Sequence, residues 1–163
     1  AYPYKPQAMH LSDMYQRPGF LLRRAHQISA SIFESACANV DLTQAQYGAL
    51  TVLASAPGMD QSRLARALAF DKVTVLRVLR GLEARGLVTR AMSQTNRRQM
   101  VVRLTTAGKR LLKQAEKPVQ EAYARLMAPL TARERQAFIQ LLQAMTDGLH
   151  TEARASFVPL SHD

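Results

Sequence analysis

The sequence predicts a mainly α-helical fold that carries one small β-hairpin, and three observations support this prediction. Apolar residues recur every three or four positions in several separate stretches, which is the period of one face of an α-helix. Two short helical stretches follow one another closely between residues 60 and 84. Two alternating apolar stretches then flank a polar loop at residues 93 to 99, a pattern that is typical of a hairpin.

The N-terminal 18 residues hold three of the seven prolines. We expect an irregular segment there, because proline supplies no amide donor and blocks helix interiors. A first long helix is predicted from about residue 19 to 38, and its apolar spacing comes from Leu21, Ala25, Ile28, Ile32 and Ala36. A second helix begins at a capping box formed by Thr43 and Gln46 and ends at the Ala-Pro-Gly sequence of residues 56–58.

Two short helices follow, each starting at an aspartate of the type that caps helix N-termini, Asp60 and Asp71. Two short helices joined by a tight turn form a helix-turn-helix. On the second helix, the predicted buried side consists of Val75, Val78, Leu79 and Leu82, and the opposite side consists of Val73, Leu76, Arg77 and Arg80. The exposed side suits a DNA major groove, where guanidinium reads guanine and aliphatic carbons touch thymine methyl groups.

Gly86 is predicted to close this helix, because glycine adopts the left-handed conformation that ends helices. Strands are then expected at residues 87–92 and 100–104, with Met100, Val102 and Leu104 pointing inward. The polar loop between them carries Arg97 and Arg98 near its tip. A hairpin after a helix-turn-helix is a wing, and arginine at its tip suits a narrow minor groove.

Positive charge is concentrated in this region. Residues 60 to 110 contain twelve Lys or Arg and three acidic residues, a net charge of +9, whereas the other 112 residues carry +1. Such a local block is typical of nucleic-acid binders, although a solvated basic face would give the same composition.

Two further helices are predicted after the hairpin. The first begins at Thr105 or Thr106 and contains Pro118, which should kink or interrupt it. The second follows Pro129, and Thr131 with Glu134 forms its capping box. The apolar face of the last helix consists of Phe138, Leu141, Leu142, Met145 and Leu149.

The segments RGLVTR, NRR and LTTAG resemble the wing signature of the MarR (multiple antibiotic resistance regulator) family of winged-helix transcription factors, and the resemblance extends from about residue 18 to 150. One position departs from the family pattern, because Asn96 stands where relatives usually carry an acid that is implied to hold the wing arginine. Asparagine accepts hydrogen bonds but cannot neutralise arginine, so we expect a more mobile and more cationic wing. The predicted DNA contacts are Ser62, Lys72, Val73, Thr74, Leu76, Arg77, Arg80, Asn96, Arg97 and Arg98.

The resemblance implies a homodimer whose terminal helices interlock, and a symmetric dimer would bind a pseudo-palindromic operator in double-stranded DNA. A monomer capped by its own helices is the alternative. The expected fold is therefore a winged helix-turn-helix with N- and C-terminal dimerisation helices. Its predicted divisions are an N-terminal dimerisation segment at 1–42, a DNA-binding domain at 43–104 and C-terminal dimerisation helices at 105–163.

The resemblance also implies an effector pocket between the first helix, the second helix and the helix after the wing. The stretch RPGFLLRRAHQIS is similar to that of regulators of aromatic-acid catabolism, which respond to benzoate-like or hydroxynicotinate-like compounds. The candidate ligand contacts are Arg23, His26, Ser29 and Tyr47. Arginine forms bidentate pairs with a planar carboxylate, although Arg24 fits an intersubunit salt bridge equally well.

Enzymatic chemistry has no motif here, because H-E-x-x-H, G-x-S-x-G and a phosphate-binding glycine loop are all missing from the sequence. The four histidines lie in no cluster with metal-ligand spacing, so we expect no cofactor and no metal site. Cys37 is read as a small packed hydrophobe and not as a redox switch, since the family's peroxide sensors are implied to carry their cysteine near the start of the first helix.

No stretch reaches the roughly 18 apolar residues of a membrane span, the N-terminus lacks the apolar core of a signal peptide, and a lone cysteine fits a reducing compartment. We therefore expect a cytoplasmic protein with no membrane partner. The predicted function is repression of transcription relieved by a small aromatic acid. The alternatives are a ligand-independent repressor or architectural DNA-binding protein, and a winged helix that binds proteins.

Overall fold

The computed structural model describes residues 10–161, which form seven α-helices and a small antiparallel sheet. The helices are α1 (Leu11–Tyr15), α2 (Pro18–Ala36), α3 (Gln44–Ser55), α4 (Gln61–Ala67), α5 (Lys72–Ala84), α6 (Thr106–Met127) and α7 (Ala132–Gly148). The strands are β1 (Met59–Asp60), β2 (Val88–Met92) and β3 (Met100–Leu104), and a 3-10 turn follows α7 at His150–Glu152. The predicted mainly helical fold with a hairpin is confirmed.

The prediction of an irregular N-terminal segment is wrong for α1, while residues 1–9 and 162–163 lie outside the described part of the chain. No proline lies between Pro6 and Pro18, so the short amphipathic stretch between them is free to form a helical turn. Pro18 occupies the first turn of α2, where its missing amide removes no helical hydrogen bond.

Each of the predicted N-caps is present. The Thr43 and Thr131 side chains form capping boxes with Gln46 and Glu134. Asp60 accepts a hydrogen bond from the Arg63 amide at 3.0 Å. These bonds satisfy amide groups that a helix start leaves without partners, and they fix where each helix begins.

The sheet has the strand order β1-β3-β2, with β3 antiparallel to both neighbours. The predicted hairpin pairs Val88 with Leu104 and Met92 with Met100. The third strand, β1, was not predicted; Met59 pairs with the buried Val102 and closes the sheet against α4. A two-residue strand is too short to show an alternating pattern.

The hydrophobic core is one contiguous cluster to which α2, α3, α5, the sheet and α6 all contribute. α6 runs without interruption through Pro118, so of the two predicted effects, a kink or an interruption, the interruption is absent. The buried Ala115 and Val119 pack on either side of that proline and hold the helix in place despite one lost hydrogen bond.

α7 buries none of its residues in this chain, and Leu141 on it is 69% exposed. The predicted apolar face of the last helix is thus present but mostly uncovered. Within residues 10–161, no helix is long and apolar enough to cross a membrane.

Candidate DNA-binding surface and effector pocket

The helix α5 presents two different faces, as its sequence predicts. Its inward residues Val75, Val78, Leu79 and Leu82 are all buried. On the outward side, Arg77 and Arg80 are exposed and Val73 is 77% exposed. A large apolar side chain so exposed, one turn before Arg77 on the same side of the helix, has no packing role in this chain. The outward face is therefore a candidate contact surface for another molecule.

Leu76 departs from the prediction that it is exposed, because it is partly buried. It lines a cavity of about 610 Å³ between α4, α5 and residues 154–156. The sequence places Leu76 on the outward side of α5 correctly, but the helical pattern holds no information about a segment that returns from the end of the chain.

The start of α5 is fixed by Asp71, whose carboxylate accepts a hydrogen bond from the Thr74 amide at 2.6 Å. The hydrogen bonds from Thr74 are the main cause that lowers the pKa of Asp71 below its usual value. The predicted contacts Ser62 and Lys72 are exposed, and both line the 610 Å³ cavity. Thr74 is partly buried.

The wing loop is ordered by hydrogen bonds around Asn96. The Asn96 side-chain oxygen accepts a bond from the Arg98 amide at 3.1 Å, and the Asn96 amide donates to Ser93 Oγ at 3.2 Å. The Gln99 amide donates to the Asn96 carbonyl at 2.9 Å. Asn96 thus shapes the backbone of the loop.

The two wing arginines are exposed but lie in different surroundings. Arg98 lines a second cavity, of about 260 Å³, with Ser62 and Arg66 of α4. Arg97 lines neither cavity. One wing arginine therefore lies beside the helix-turn-helix.

Two arginines that the sequence analysis did not single out connect α5 to its surroundings. Arg90 of β2 forms a salt bridge with Glu83 of α5, with 2.6 Å between Nη2 and Oε2. Arg85, at the end of α5, donates hydrogen bonds to the carbonyls of Val40 and Asp41. These contacts join the end of α5 to the wing and to the turn between α2 and α3.

Few of the positive charges on α5 and the wing are paired with a nearby carboxylate. Among residues 10–161, the Arg90–Glu83 pair is the one salt bridge within 4 Å. Arg77, Arg80, Arg97 and Arg98 are therefore free of close carboxylates in the part of the chain that the structure describes. Together with the exposed Val73, they give α5 and the wing a cationic surface that a polyanion would neutralise.

The predicted effector contacts fall into two groups. Ser29 lies at the α2–α3 interface, where its hydroxyl accepts a hydrogen bond from Gln44 Nε2 at 2.7 Å. Tyr47 is partly buried one turn further along α3. Arg23 and His26 lie on the exposed N-terminal half of α2. The Arg23 guanidinium stacks 5.4 Å from the centre of the Phe20 ring.

An aromatic cluster joins α2, α3 and α6 beside Ser29. The Phe33 ring lies 5.9 Å from the Tyr47 ring and 6.5 Å from the Tyr123 ring, measured between ring centres. Partial burial, followed by the proximity of Tyr47 and Cys37, raises the pKa of Tyr123. Phe33, Gln44 and Tyr123 were missed by the sequence analysis, because helical spacing alone reads them as core or surface residues.

Cys37 is fully buried at the end of α2, and its burial raises the pKa of the thiol. A buried, protonated thiol is a poor nucleophile. This environment is the one expected for a packed hydrophobic residue.

The helix-turn-helix, the hairpin that follows it and their shared cationic surface define the class of winged-helix DNA-binding proteins. A family model described as MarR family matches residues 40–99. The repressor NicR of Pseudomonas putida is 32% identical over 135 residues, which cover 83% of this chain and 85% of NicR. The chain belongs to the MarR family of transcriptional regulators, and these are not enzymes.

Solved structures support the same assignment. The repressor CouR bound to a 23-mer DNA duplex is 29% identical, with a TM-score of 0.76 and coverage of 86% of this chain and 99% of CouR. BpsR of Bordetella bronchiseptica, whose DNA binding is regulated by 6-hydroxynicotinic acid, is 29% identical, with a TM-score of 0.78 and the same coverage. The predicted family and the winged helix-turn-helix are confirmed.

Proposed function

We propose that the protein is a homodimeric repressor that binds a pseudo-palindromic operator and is released from it by a small aromatic carboxylate. The observation that carries the DNA-binding part is the exposed face of α5, where Val73 stands beside Arg77 and Arg80. This combination suits a major groove, because arginine pairs with guanine O6 and N7 while the valine methyl groups touch thymine.

The remaining predicted contacts surround this face. Ser62 and Lys72 would contact the phosphate backbone on one side, and Arg97 and Arg98 of the wing would reach the adjacent minor groove. In a symmetric dimer the two α5 helices would enter successive major grooves roughly 34–36 Å apart. CouR, a structural neighbour, is a repressor bound to a 23-mer DNA duplex, which supports binding of duplex DNA by this fold.

The junction of α2, α3 and α6 is the proposed effector site. Tyr47 and Tyr123, which lie beside the buried Phe33, would offer ring faces to a planar ligand. The hydroxyl of Ser29 and the amide of Gln44 would bond to ring substituents. BpsR, whose DNA binding is regulated by 6-hydroxynicotinic acid, makes an aromatic acid the effector class to test.

Arg23 is the proposed partner of the effector's carboxylate. It lies six residues before Ser29 on α2, or about 9 Å along the helix axis at the usual rise per residue. Its guanidinium bonds to Gln27 at 3.4 Å, a weak contact that leaves donors available. Six residues also turn the two positions by about 120° around α2, so a carboxylate beside Ser29 meets the guanidinium when the long Arg23 side chain bends round the helix towards α3.

An effector acts only if it binds one arrangement of the two recognition helices more tightly than the other. A preference of roughly 100-fold corresponds to about 2.7 kcal/mol, which is within the usual range of allosteric coupling. The α2–α3 turn that adjoins this site contacts α5 through Arg85. A small shift of α2 against α3 would therefore reach the recognition helix.

DNA binding is tested with an operator selected from a random-sequence pool, and affinity is measured by fluorescence anisotropy. Arg77→Ala should lose about 1–3 kcal/mol of discrimination between operator and random DNA, as expected for one bidentate base contact. Arg98→Ala should weaken binding mainly at A·T-rich flanks. Arg133→Ala removes an exposed arginine of α7 and serves as the control. Parent-like binding by both Arg77→Ala and Arg98→Ala would contradict the groove assignments.

Effector control is tested by titrating hydroxybenzoates and hydroxynicotinates into the protein–operator complex. Arg23→Ala should keep operator affinity and lose release by the acid, and Tyr47→Ala should weaken release less. If no acid released the parent, the ligand-independent repressor would be the better description. If an acid released Arg23→Ala as it releases the parent, Arg23 would be excluded from the site.

A further inference from the structure

The chain folds back onto the helix-turn-helix after α7. We call residues 153–161, which follow the turn at His150–Glu152, the C-terminal segment. The Val158 amide donates a hydrogen bond to the carbonyl of Arg66 in α4, at 2.9 Å. Leu160 is partly buried against the hydrophobic core. The C-terminal segment is thus attached to α4 by a backbone hydrogen bond and to the hydrophobic core through Leu160.

This segment forms one wall of the 610 Å³ cavity between α4 and α5. Three cationic residues line that cavity: Arg66 from α4, Lys72 from α5 and Arg154 from the C-terminal segment. Asp71 is the one acid among its lining residues, and its carboxylate already accepts the Thr74 amide. None of the three cations has a carboxylate within 4 Å in the described residues.

We propose that this cavity binds a backbone phosphate of the operator and that Arg154 supplies one of the charges that hold it. The inference rests on the proposed DNA binding and extends it to a segment outside the winged helix. Three cations around one cavity repel each other. An anion bound between them attracts all three, so the net electrostatic interaction becomes favourable. A phosphate also accepts charge-assisted hydrogen bonds from guanidinium and ammonium groups.

The position of the cavity fits a DNA backbone. Ser62 and Lys72, which are proposed phosphate contacts, line the same cavity as Arg154. A strand that reaches those two side chains would therefore pass the C-terminal segment. The hydrogen bond at Val158 uses only backbone atoms, so it holds the segment in place without using the Arg154 side chain.

A segment beside a binding surface can also obstruct it, and the exposed ridge of α5 argues against obstruction here. Val73, Arg77 and Arg80 do not line the cavity, and Val73 remains 77% exposed with the segment in place. Among the predicted contacts on α5, Leu76 and Thr74 are both partly buried, but of these two only Leu76 lines the cavity. The major-groove surface stays accessible while Arg154 borders it.

The proposal is tested by measuring operator affinity of the full chain over a range of salt concentrations. Arg154→Ala should weaken binding to operator and to random DNA by the same factor, because a phosphate contact carries no base information. The slope of log affinity against log salt should become shallower by about 0.9 for each protomer. Arg154→Lys should retain the parent's slope, and Arg133→Ala is the control for loss of an exposed arginine elsewhere.

A second variant tests the attachment of the segment. Val158→Pro removes the amide that bonds to Arg66 and keeps Arg154 in the chain. The Val158→Pro variant should bind DNA more weakly than the parent, and its slope of log affinity against log salt should become shallower, as expected for Arg154→Ala. Parent-like binding by Val158→Pro would overturn the role of the attached segment in positioning Arg154.

Two further results would overturn the proposal itself. If Arg154→Ala had the parent's affinity and salt slope, the phosphate contact would be excluded. The proposed DNA binding would still hold in that case if Arg77→Ala lost discrimination between operator and random DNA. Tighter binding by Arg154→Ala, or by a chain that ends at residue 152, would identify the segment as an obstruction. Failure of the parent to bind any DNA would instead contradict the proposed function.

Discussion

The Nη2 atom of Arg85, at the end of α5, lies 3.0 Å from the carbonyl oxygen of Val40 in the turn between α2 and α3. The other terminal nitrogen of Arg85 bonds to the carbonyl of Asp41, whose φ of 50° places it in the left-handed region. One side chain thus connects the element proposed to read DNA with the turn that joins the two helices of the proposed effector site.

Arg85→Ala removes that connection. We expect the free energy of unfolding to fall by about 1–2 kcal/mol, since two hydrogen bonds from a charged group to backbone carbonyls are lost. Operator affinity should change little, but the aromatic acid should release the variant less effectively. Chemical denaturation and acid titration of the operator complex measure these effects. Arg85→Lys keeps the charge and should be intermediate, whereas release equal to that of the parent in Arg85→Ala would show that coupling takes another route.

Gly108, the glycine of LTTAG, lies where the start of α6 passes the backbone of Leu87. A Cβ atom at this position would collide with the Leu87 carbonyl oxygen and approach Leu104 Cδ1 to 2.7 Å. Gly108→Ala should lower the free energy of unfolding by about 1–3 kcal/mol, because the clash involves backbone that cannot move independently. Thermal unfolding measures this loss. Gly148→Ala is the matched control, since nothing lies within 4 Å of its added carbon, and equal stability of the two variants would contradict the steric argument.

The sequence predicted the parts of this molecule whose signals are local. The capping box at Thr43 and the caps at Asp60 and Asp71 depend on residues three positions apart, so they are visible in the sequence. The outward face of α5 follows from the helical period, which is why Val73 and Arg77 could be named. Their exposure in the structure agrees with that reading.

The parts that were missed depend on contacts between distant residues. Arg85 and Val40 are 45 residues apart, and Val158 meets Arg66 only because α6 and α7 return the chain to the helix-turn-helix. Tyr123 reads as one more apolar position on α6, and its approach to Phe33 depends on how three helices meet. No periodic pattern encodes such meetings.

Asp71 makes the start of α5, the helix proposed to read DNA, sensitive to acid. Its pKa is lowered in the folded protein, mainly by hydrogen bonds from Thr74. The stabilisation by the ionised cap is therefore complete at a pH above the pKa of the unfolded chain, near 3.9, and it is lost as the pH falls through the lowered pKa of the folded protein. Asp71→Ala should therefore have a lower free energy of unfolding than the parent at neutral pH. This difference in free energy should shrink as the solution is acidified through the pKa of Asp71.

The dependence of this stability difference on pH is measured by denaturant unfolding of the parent and Asp71→Ala between about pH 2 and pH 6. Asp71→Asn is the control, because asparagine also caps helices but does not titrate. Its stability relative to Asp71→Ala should stay constant over the same range. If the difference in free energy of unfolding between the parent and Asp71→Ala did not depend on pH, the ionised form of Asp71 would not be what stabilises the cap.

The uncovered apolar face of α7 predicts the oligomeric state. Leu141 is 69% exposed and Phe138 is 39% exposed, and burying such a side chain stabilises an interface by about 1.5–3 kcal/mol. In a symmetric dimer each substitution counts twice, so Leu141→Asp should raise the dissociation constant of the dimer by a factor on the order of 10³. Sedimentation at micromolar concentration should show a dimeric parent and a monomeric variant. Gln140→Asp places the same charge on an already exposed polar position of α7 and should remain dimeric; a parent that sediments as a monomer would rule out recognition of a pseudo-palindrome by two α5 helices.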